Sequence, residues 1–219
     1  MNAGYNTRMN KVQLINQDSG NPEWYTPSPI IEAARATMGS IDLDPASCGA
    51  ANELVRATRY FTQADDGLAQ PWFCNVWMNH PYSARGNPQW VNKLVREYEA
   101  GNVKQACCIV NASTSELWFQ PLLDFPMCLL RGRLRFIPGS GQHESSPGKG
   151  SAVIYLGPSV DKFAVAFRPF GSIMVPYQIN QLSGTLCTIC DSPLGKKRAD
   201  ALYCSDACRQ KAKRRKVKA

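Results

Sequence analysis

The sequence predicts an α/β fold: a mostly parallel sheet covered by helices on both faces, with a small cysteine-rich module at the C-terminal end. Three observations carry this. Short apolar runs alternate along the chain with longer stretches of helical periodicity, as in strand–helix–strand units. At 219 residues the chain is long enough for one α/β domain with a full core plus an appendage. Paired cysteines and excess positive charge are confined to the last segment, which separates it from the rest.

Residues 1–20 are polar and read as a flexible lead-in. Organised chain starts at Asn21-Pro22-Glu23-Trp24-Tyr25-Thr26-Pro27. Ser28 suits an N-cap and Pro29 a first helical position, opening a helix that ends near Gly39. Ile41–Asp44 is a short strand with Pro45 just past it, and a helix follows over Ala50–Arg59. Phe73–Met78 is a buried strand ending at Asn79. Asn87-Pro88 repeats the cap-plus-proline signal, and Val91, Leu94, Val95 and Tyr98 give the helix an apolar stripe for core packing until Gly101 ends it. Gln105–Asn111 is a strand, Ser115–Leu123 a helix and Met127–Arg131 a strand. Leu134–Ile137, Ser151–Leu156 and Phe163–Phe167 complete the strands. The Gly/Ser/Pro-rich loop Pro138–Gly150 has the length of a functional lid. The expected organisation is a lead-in over 1–20, an α/β domain over 21–178, a linker over 179–186 and a metal-binding module with a basic tail over 187–219.

The first twenty residues lack the apolar stretch of a signal peptide, and no run is long enough to span a membrane. A cytoplasmic location is the expectation. Net charge is +8, and residues 185–219 hold ten Lys/Arg against three Asp/Glu. A basic segment of this kind reads as a nucleic-acid-binding arm, so a nucleic acid is the expected partner rather than a membrane. Nine cysteines, an odd count without a signal peptide, suit a reducing compartment. Cys187-x2-Cys190 and Cys204-x3-Cys208 have the spacing of four thiolate ligands to one structural zinc. Ser205 suits the N-cap of a helix that carries Cys208 and runs on through Arg209, Lys211, Lys213, Arg214, Arg215, Lys216 and Lys218.

In open α/β sheets ligands bind beyond the carboxyl ends of strands. Asp44 and Asn79 both fall there, at the ends of different strands, with Asp65-Asp66-Gly67-Leu68 between them in sequence. Asp44 suits a ligand's hydroxyls or amino group, and Asp66 beside Leu68 suits an adenine ring and its amino group. Arg131, Arg133 and Arg135 alternate with Gly132, Leu134 and Phe136; on a strand this places the arginines on one face, a candidate phosphate-binding edge.

Asn79-His80-Pro81-Tyr82 resembles the (Asp/Asn/Ser)-Pro-Pro-aromatic signature of amino-group methyltransferases. An exocyclic amine is a poor nucleophile because its lone pair is delocalised into the ring. A carboxamide oxygen and a backbone carbonyl can accept its hydrogens and restore the lone pair, and an aromatic ring can stack on the base. With Trp24-Tyr25-Thr26-Pro27, Leu43-Asp44-Pro45-Ala46-Ser47, Asp66-Gly67-Leu68 and Gly132-Arg133-Leu134-Arg135-Phe136 in the same order and at similar spacing, the chain resembles the phage-type, Dam-like DNA N6-adenine methyltransferases over roughly residues 21–175. The resemblance implies a Rossmann-like fold using S-adenosylmethionine. It implies cofactor contacts from Trp24, Tyr25, Thr26, Pro27, Asp44, Pro45, Asp66 and Leu68. Asn79, His80, Pro81 and Tyr82 would form the catalytic loop, acting on a base flipped out of the duplex. His80 stands where the usual signature has Pro; its backbone carbonyl supplies the same contact, so the imidazole is assigned no role. The same tetrapeptide type also serves methylation of cytosine N4 and of protein glutamine. The alternative from another class is a catalytically impaired, zinc-containing nucleic-acid-binding protein.

Overall fold

The computed structural model describes residues 24–83, 86–138, 148–176, 186–192, 194 and 201–216. The lead-in, Glu23, most of the Pro138–Gly150 loop, the linker up to residue 185 and Lys218 lie outside the described residues. The chain forms two compact units, divided between Pro176 and Tyr177.

In the first unit the strands are β1 (Trp24–Tyr25), β2 (Leu43–Asp44), β3 (Arg59–Tyr60), β4 (Cys74–Met78), β5 (Val103–Asn111), β6 (Met127–Leu130), β7 (Ile137–Pro138), β8 (Ser151–Leu156) and β9 (Gly171–Met174). The helices are α1 (Ser28–Met38), α2 (Gly49–Val55), α3 (Gly86–Glu99) and α4 (Val160–Phe167). Seven strands form one sheet in the order β3-β2-β4-β5-β8-β6-β9. β3, β2, β4 and β5 are mutually parallel, β8 runs against β5 and β6, and β9 runs against β6. Five of the seven therefore point the same way, with two antiparallel strands in the second half. β1 and β7 pair antiparallel in a separate ladder, Trp24 opposite Pro138 and Tyr25 opposite Ile137.

Strand alternation sends side chains to two cores. Trp77, Cys107, Ile109, Val153 and Tyr155 face α1 and α4, meeting Ile30, Ile31, Ala34, Phe163 and Phe167. Val76, Met78, Ala106, Cys108, Val110 and Ile154 face the other way, onto Val91 and Leu94 of α3 and onto Phe119 and Leu122. The sheet is thus covered on both faces, as the alternating pattern predicts. Gly39, at φ +87°, turns back to donate its N–H to the Arg35 carbonyl at 2.7 Å and ends α1. Asp42 braces β2 against β4, accepting from the Asn75 N–H at 3.1 Å and from the Ser40 hydroxyl at 2.9 Å.

Several elements differ from the sequence expectation. Pro27 takes the cap position of α1, so Ser28 and Pro29 both lie in its first turn and no side chain caps it. The helix expected over Ala50–Arg59 stops at Val55, where Arg56 adopts a left-handed conformation and frees Arg59–Tyr60 to pair as β3. Ser115–Leu123 is a 3-10 turn over Leu117–Asp124 with Pro121 inside it. Phe163–Phe167 is not a strand but the end of α4, and β9 supplies the strand. Arg131–Phe136 is a loop: Gly132, at φ +75°, breaks the extended backbone that would have aligned the three arginines.

In the second unit, Cys187–Asp191 forms a tight turn in which the Asp191 N–H reaches the Cys187 carbonyl at 2.9 Å and Asp191 is left-handed. The Thr188 N–H donates to the Leu202 carbonyl at 3.0 Å, bringing the second cysteine pair alongside. Helix α5 (Asp206–Lys216) follows, and the Ser205 hydroxyl caps it by accepting from the Cys208 N–H at 3.3 Å.

Candidate active site

The carboxyl ends of β2 and β4 open onto a cavity of about 310 Å³, walled by β1 and by the loop after the Gln63–Asp65 turn. Of the residues singled out from the sequence, Trp24, Tyr25, Thr26, Asp44, Pro45, Asp66, Asn79 and Pro81 line it. Pro27, Leu68, His80 and Tyr82 do not.

Asn79 sits one residue past β4. Its Nδ2 donates to the Trp24 carbonyl at 2.7 Å, and its side chain makes no other hydrogen bond among the described residues. The bond fixes which end of the carboxamide is which, leaving Oδ1 as an acceptor for a ligand.

Asp44 is 2 % exposed at the end of β2. Burial raises its carboxyl to about 7, against the favourable bond from the Ala46 N–H at 3.2 Å. The Ser47 hydroxyl lies close enough to favour the carboxylate but makes no hydrogen bond of normal geometry. Among the described residues, Ser47 Oγ and Thr26 Oγ1 are buried hydroxyls of cavity-lining residues without a hydrogen bond of normal geometry. Buried polar atoms are rarely left this way, so two orphaned hydroxyls beside a neutral-leaning carboxyl describe a wall built for a polar ligand.

Asp66 is left-handed at φ 50° and accepts from the Leu68 N–H at 3.2 Å. Its neighbour Gly67 lies so close to β2 that an added Cβ would fall 1.9 Å from the Pro45 carbonyl oxygen. Only glycine lets this loop close over the strand end. The Trp72 indole N–H fastens it by donating to the Gly67 carbonyl at 2.8 Å.

His80 is 2 % exposed, and its Nε2 lies 3.0 Å from Asn87 Oδ1. Burial lowers its pKa to about 4, with the Asn87 bond acting weakly the other way, so the ring is neutral at ordinary pH. Tyr82 is half-buried, donates its hydroxyl to the Ile109 carbonyl at 3.2 Å and packs its ring edgewise against Phe136 and His80. Asn87 is not the cap of α3: the helix begins at Gly86, and the Asn87 carboxamide reaches back to the Ser83 N–H at 3.3 Å.

Gly67, part of the Asp66–Leu68 motif, lines the cavity too, while Cys48, Thr62, Gln63 and Trp90 also line it and escape sequence reasoning. Cys48 reads as a core thiol, yet its Sγ caps α2 by accepting from the Ala51 N–H at 3.5 Å. Trp90 lies one turn before Leu94 and packs against the same core, so nothing in the stripe of α3 marks its second place in the cavity wall.

Arg131, Arg133 and Arg135 are exposed on the loop leaving β6. β6 runs parallel to β4 and β5, so this loop emerges at the same edge of the sheet as Asn79. It leads through Phe136 into β7, the partner of β1.

In the second unit the sulfurs of Cys187, Cys190, Cys204 and Cys208 lie within 4.8 Å of one another, with 3.4 Å between Cys190 and Cys204 and 3.6 Å from Cys208 to each. Four sulfurs placed at ~2.3 Å from a tetrahedral zinc lie about 3.8 Å apart, so this cluster could hold a metal. Burial opposes ionisation of Cys187, but the backbone around Cys204, Ile189 and Cys190 outweighs it and draws the thiol down to about 6. On α5, Arg209, Lys211, Lys213 and Arg214 are exposed, and Arg209 pairs with Asp206 at 3.2 Å.

A profile of the DNA N-6-adenine-methyltransferase (Dam) family matches residues 15–173. The match takes in the cavity and all four helices of the first unit, and ends before the cysteine cluster. No curated protein matches the chain.

Proposed function

The chain belongs to the DNA N-6-adenine-methyltransferase (Dam) family, and from that premise we propose that it transfers a methyl group from S-adenosylmethionine to the N6 amino group of adenine in DNA. The observation that carries the reading is Asn79: it lines the cavity together with Asp44, and the nitrogen of its carboxamide is tied to the Trp24 carbonyl, which leaves the oxygen as the acceptor.

The cavity fits the cofactor chemically. Asp44 would accept from ribose hydroxyls, and the unpartnered hydroxyls of Thr26 and Ser47 would pair with its polar groups. The bound cofactor supplies an electrophilic methyl group. Asn79 Oδ1 and the backbone carbonyl of His80 would accept the two hydrogens of the target amine and aim its lone pair. Pro81 stiffens the turn that presents them. No side-chain base is required, because the methylated amine is acidic enough to lose its proton to water. His80 is buried and neutral and takes no part in proton transfer.

The arginines of the β6–β7 loop would hold phosphates of the strand whose base is flipped. The four cysteines would bind one structural zinc, and the exposed cations of α5 would add phosphate contacts. Such an enzyme works in the cytoplasm, in a bacterial host cell if phage-encoded.

The test is incubation with labelled S-adenosylmethionine and mixed-sequence DNA, followed by nucleoside mass spectrometry. N6-methyladenine is expected. N4-methylcytosine alone would overturn the adenine assignment, and no methylated nucleoside from any DNA would favour a nucleic-acid-binding protein.

A further inference from the structure

We propose that the His80 imidazole is a positioning residue: it clamps the Asn79–Pro81 segment to the start of α3 and couples it to the Asp66–Gly67 loop across the cavity. The inference rests on the methyltransferase reading of that cavity. It gives a role to a side chain whose backbone alone was expected to matter.

The Asn87 carboxamide oxygen accepts from the Ser83 backbone N–H at 3.3 Å and meets His80 Nε2 at 3.0 Å. A backbone N–H can only donate, so this atom is the oxygen, and Nε2 carries the ring hydrogen. One buried side-chain oxygen therefore holds residues 80 and 83, on either side of Pro81 and Tyr82. Asn87 is itself fixed: it is 7 % exposed, and its N–H donates to the Ser83 carbonyl at 3.0 Å.

The ring also extends an aromatic stack. Its centroid lies 6.2 Å from Trp90 at 29° between planes, and Trp90 lies 5.9 Å from Trp72 at 27°. Trp72 holds the Gly67 carbonyl, and the Trp90 edge sits against Gly67 from the other side. A continuous run of packed rings thus joins the amine-binding loop to the loop that carries Asp66. A proline at position 80 has no donor for Asn87 and too small a ring to meet Trp90.

Nδ1 of His80 is buried without a partner among the described residues. An unmade bond of this kind is unfavourable. The ring is tolerated there for its Nε2 donor and its face, which is what positioning requires and proton transfer does not.

The experiment compares kcat, KM and directly measured S-adenosylmethionine affinity for the wild type, His80→Gln, His80→Phe, His80→Pro, Asn87→Ala and the double variant His80→Phe/Asn87→Ala. Gln keeps a donor near the place of Nε2; Phe keeps the stack but not the bond. His80→Gln should stay within about threefold of wild-type kcat, the scale of one adjusted hydrogen bond. His80→Pro should lose roughly 10- to 100-fold in kcat, as a small displacement of reacting groups does, while cofactor affinity, reached only indirectly through the ring stack, falls much less. His80→Phe should fall between them. Asn87→Ala, which also loses the Ser83 contact, should cost at least as much as His80→Phe, and the double variant should be no worse than Asn87→Ala alone. Wild-type kcat in His80→Pro, additive losses in the double variant, or equal losses of kcat and cofactor affinity would each overturn the inference while leaving the methyltransferase reading intact. An inactive wild type would instead remove that reading and the inference together.

Discussion

Asn79 and Trp24 are 55 residues apart in sequence, yet the Asn79 amide nitrogen and the Trp24 carbonyl oxygen meet at 2.7 Å. The contact joins the end of a central strand to the small β1–β7 ladder. It turns a carboxamide that could rotate freely into a fixed acceptor.

Asn79→Ala should therefore abolish methyl transfer without emptying the cavity of its ligand. Removing one preorganised polar group of this kind costs about 10²–10³-fold in kcat. Cofactor affinity, measured by calorimetry, should change less than about threefold, within the worth of a single neutral hydrogen bond. Equal losses in both would place Asn79 in the cofactor subsite instead.

Cofactor binding should depend on pH through Asp44. The folded carboxyl keeps its proton up to about 7, against an ordinary value of 3.8. Between those values the empty protein holds more protons than the unfolded chain, so this group's contribution to stability falls as pH rises. A ligand whose hydroxyls donate to Asp44 favours the carboxylate and draws its pKa back down. Binding should then release a proton below pH 7 and tighten as pH rises towards 7, by at most about tenfold per pH unit. Calorimetry near pH 6 in buffers of different ionisation enthalpy reads the released proton directly. A flat affinity between about pH 5.5 and 8 would count against Asp44 as the hydroxyl acceptor.

Gly67→Ala should damage the cavity from a position with no chemistry of its own. The new methyl would lie 1.9 Å from the Pro45 carbonyl oxygen, so the loop must move off β2 and carry Asp66 with it. Overpacking of this sort costs about 1–3 kcal/mol. A lower melting temperature and weaker cofactor binding are expected together. Unchanged cofactor affinity would show that the Asp66 loop lies outside the ligand's reach.

The cysteine unit should contain one zinc per chain by elemental analysis, and chelation should reduce the helical signal, because few apolar side chains support α5 without it. Removing residues 177–219 should weaken DNA binding and flatten its salt dependence. Each lost phosphate contact lowers the log–log salt slope by about 0.9. A truncated protein with unchanged affinity and slope would leave the basic helix without a role on DNA.

The positions of Asp44 and Asn79 were legible because strand ends announce themselves: an apolar run stops, and Pro follows within two residues; Asp66 was marked instead by the Asp-Asp-Gly turn signal. Other features depended on tertiary context. Phe163–Phe167 is apolar at every position, and a short apolar run is equally compatible with strand or helix. Arg131–Arg135 alternates like a strand, but a single left-handed glycine outweighs the alternation. Arg56 ends α2 in a left-handed turn that no glycine or asparagine advertises. Cys48, Thr62, Gln63 and Trp90 reach the cavity only because three separate segments converge there, and no local pattern records that convergence.

The strand order also bears on how the first unit is made. β8 lies between β5 and β6, yet it is the last of the three in sequence. Every one of its residues, Ser151 to Leu156, is buried. Until that hexapeptide emerges from the ribosome, β5 and β6 have no common neighbour, and each keeps an apolar edge with unpaired backbone groups. The cavity-bearing half of the sheet, β2 to β5, can pair as it is synthesised. The other half waits for one late strand to be threaded between two early ones, a long-range step of the kind that slows folding. A nascent chain stalled before Ser151 would carry the whole cavity lining and still be an aggregation hazard.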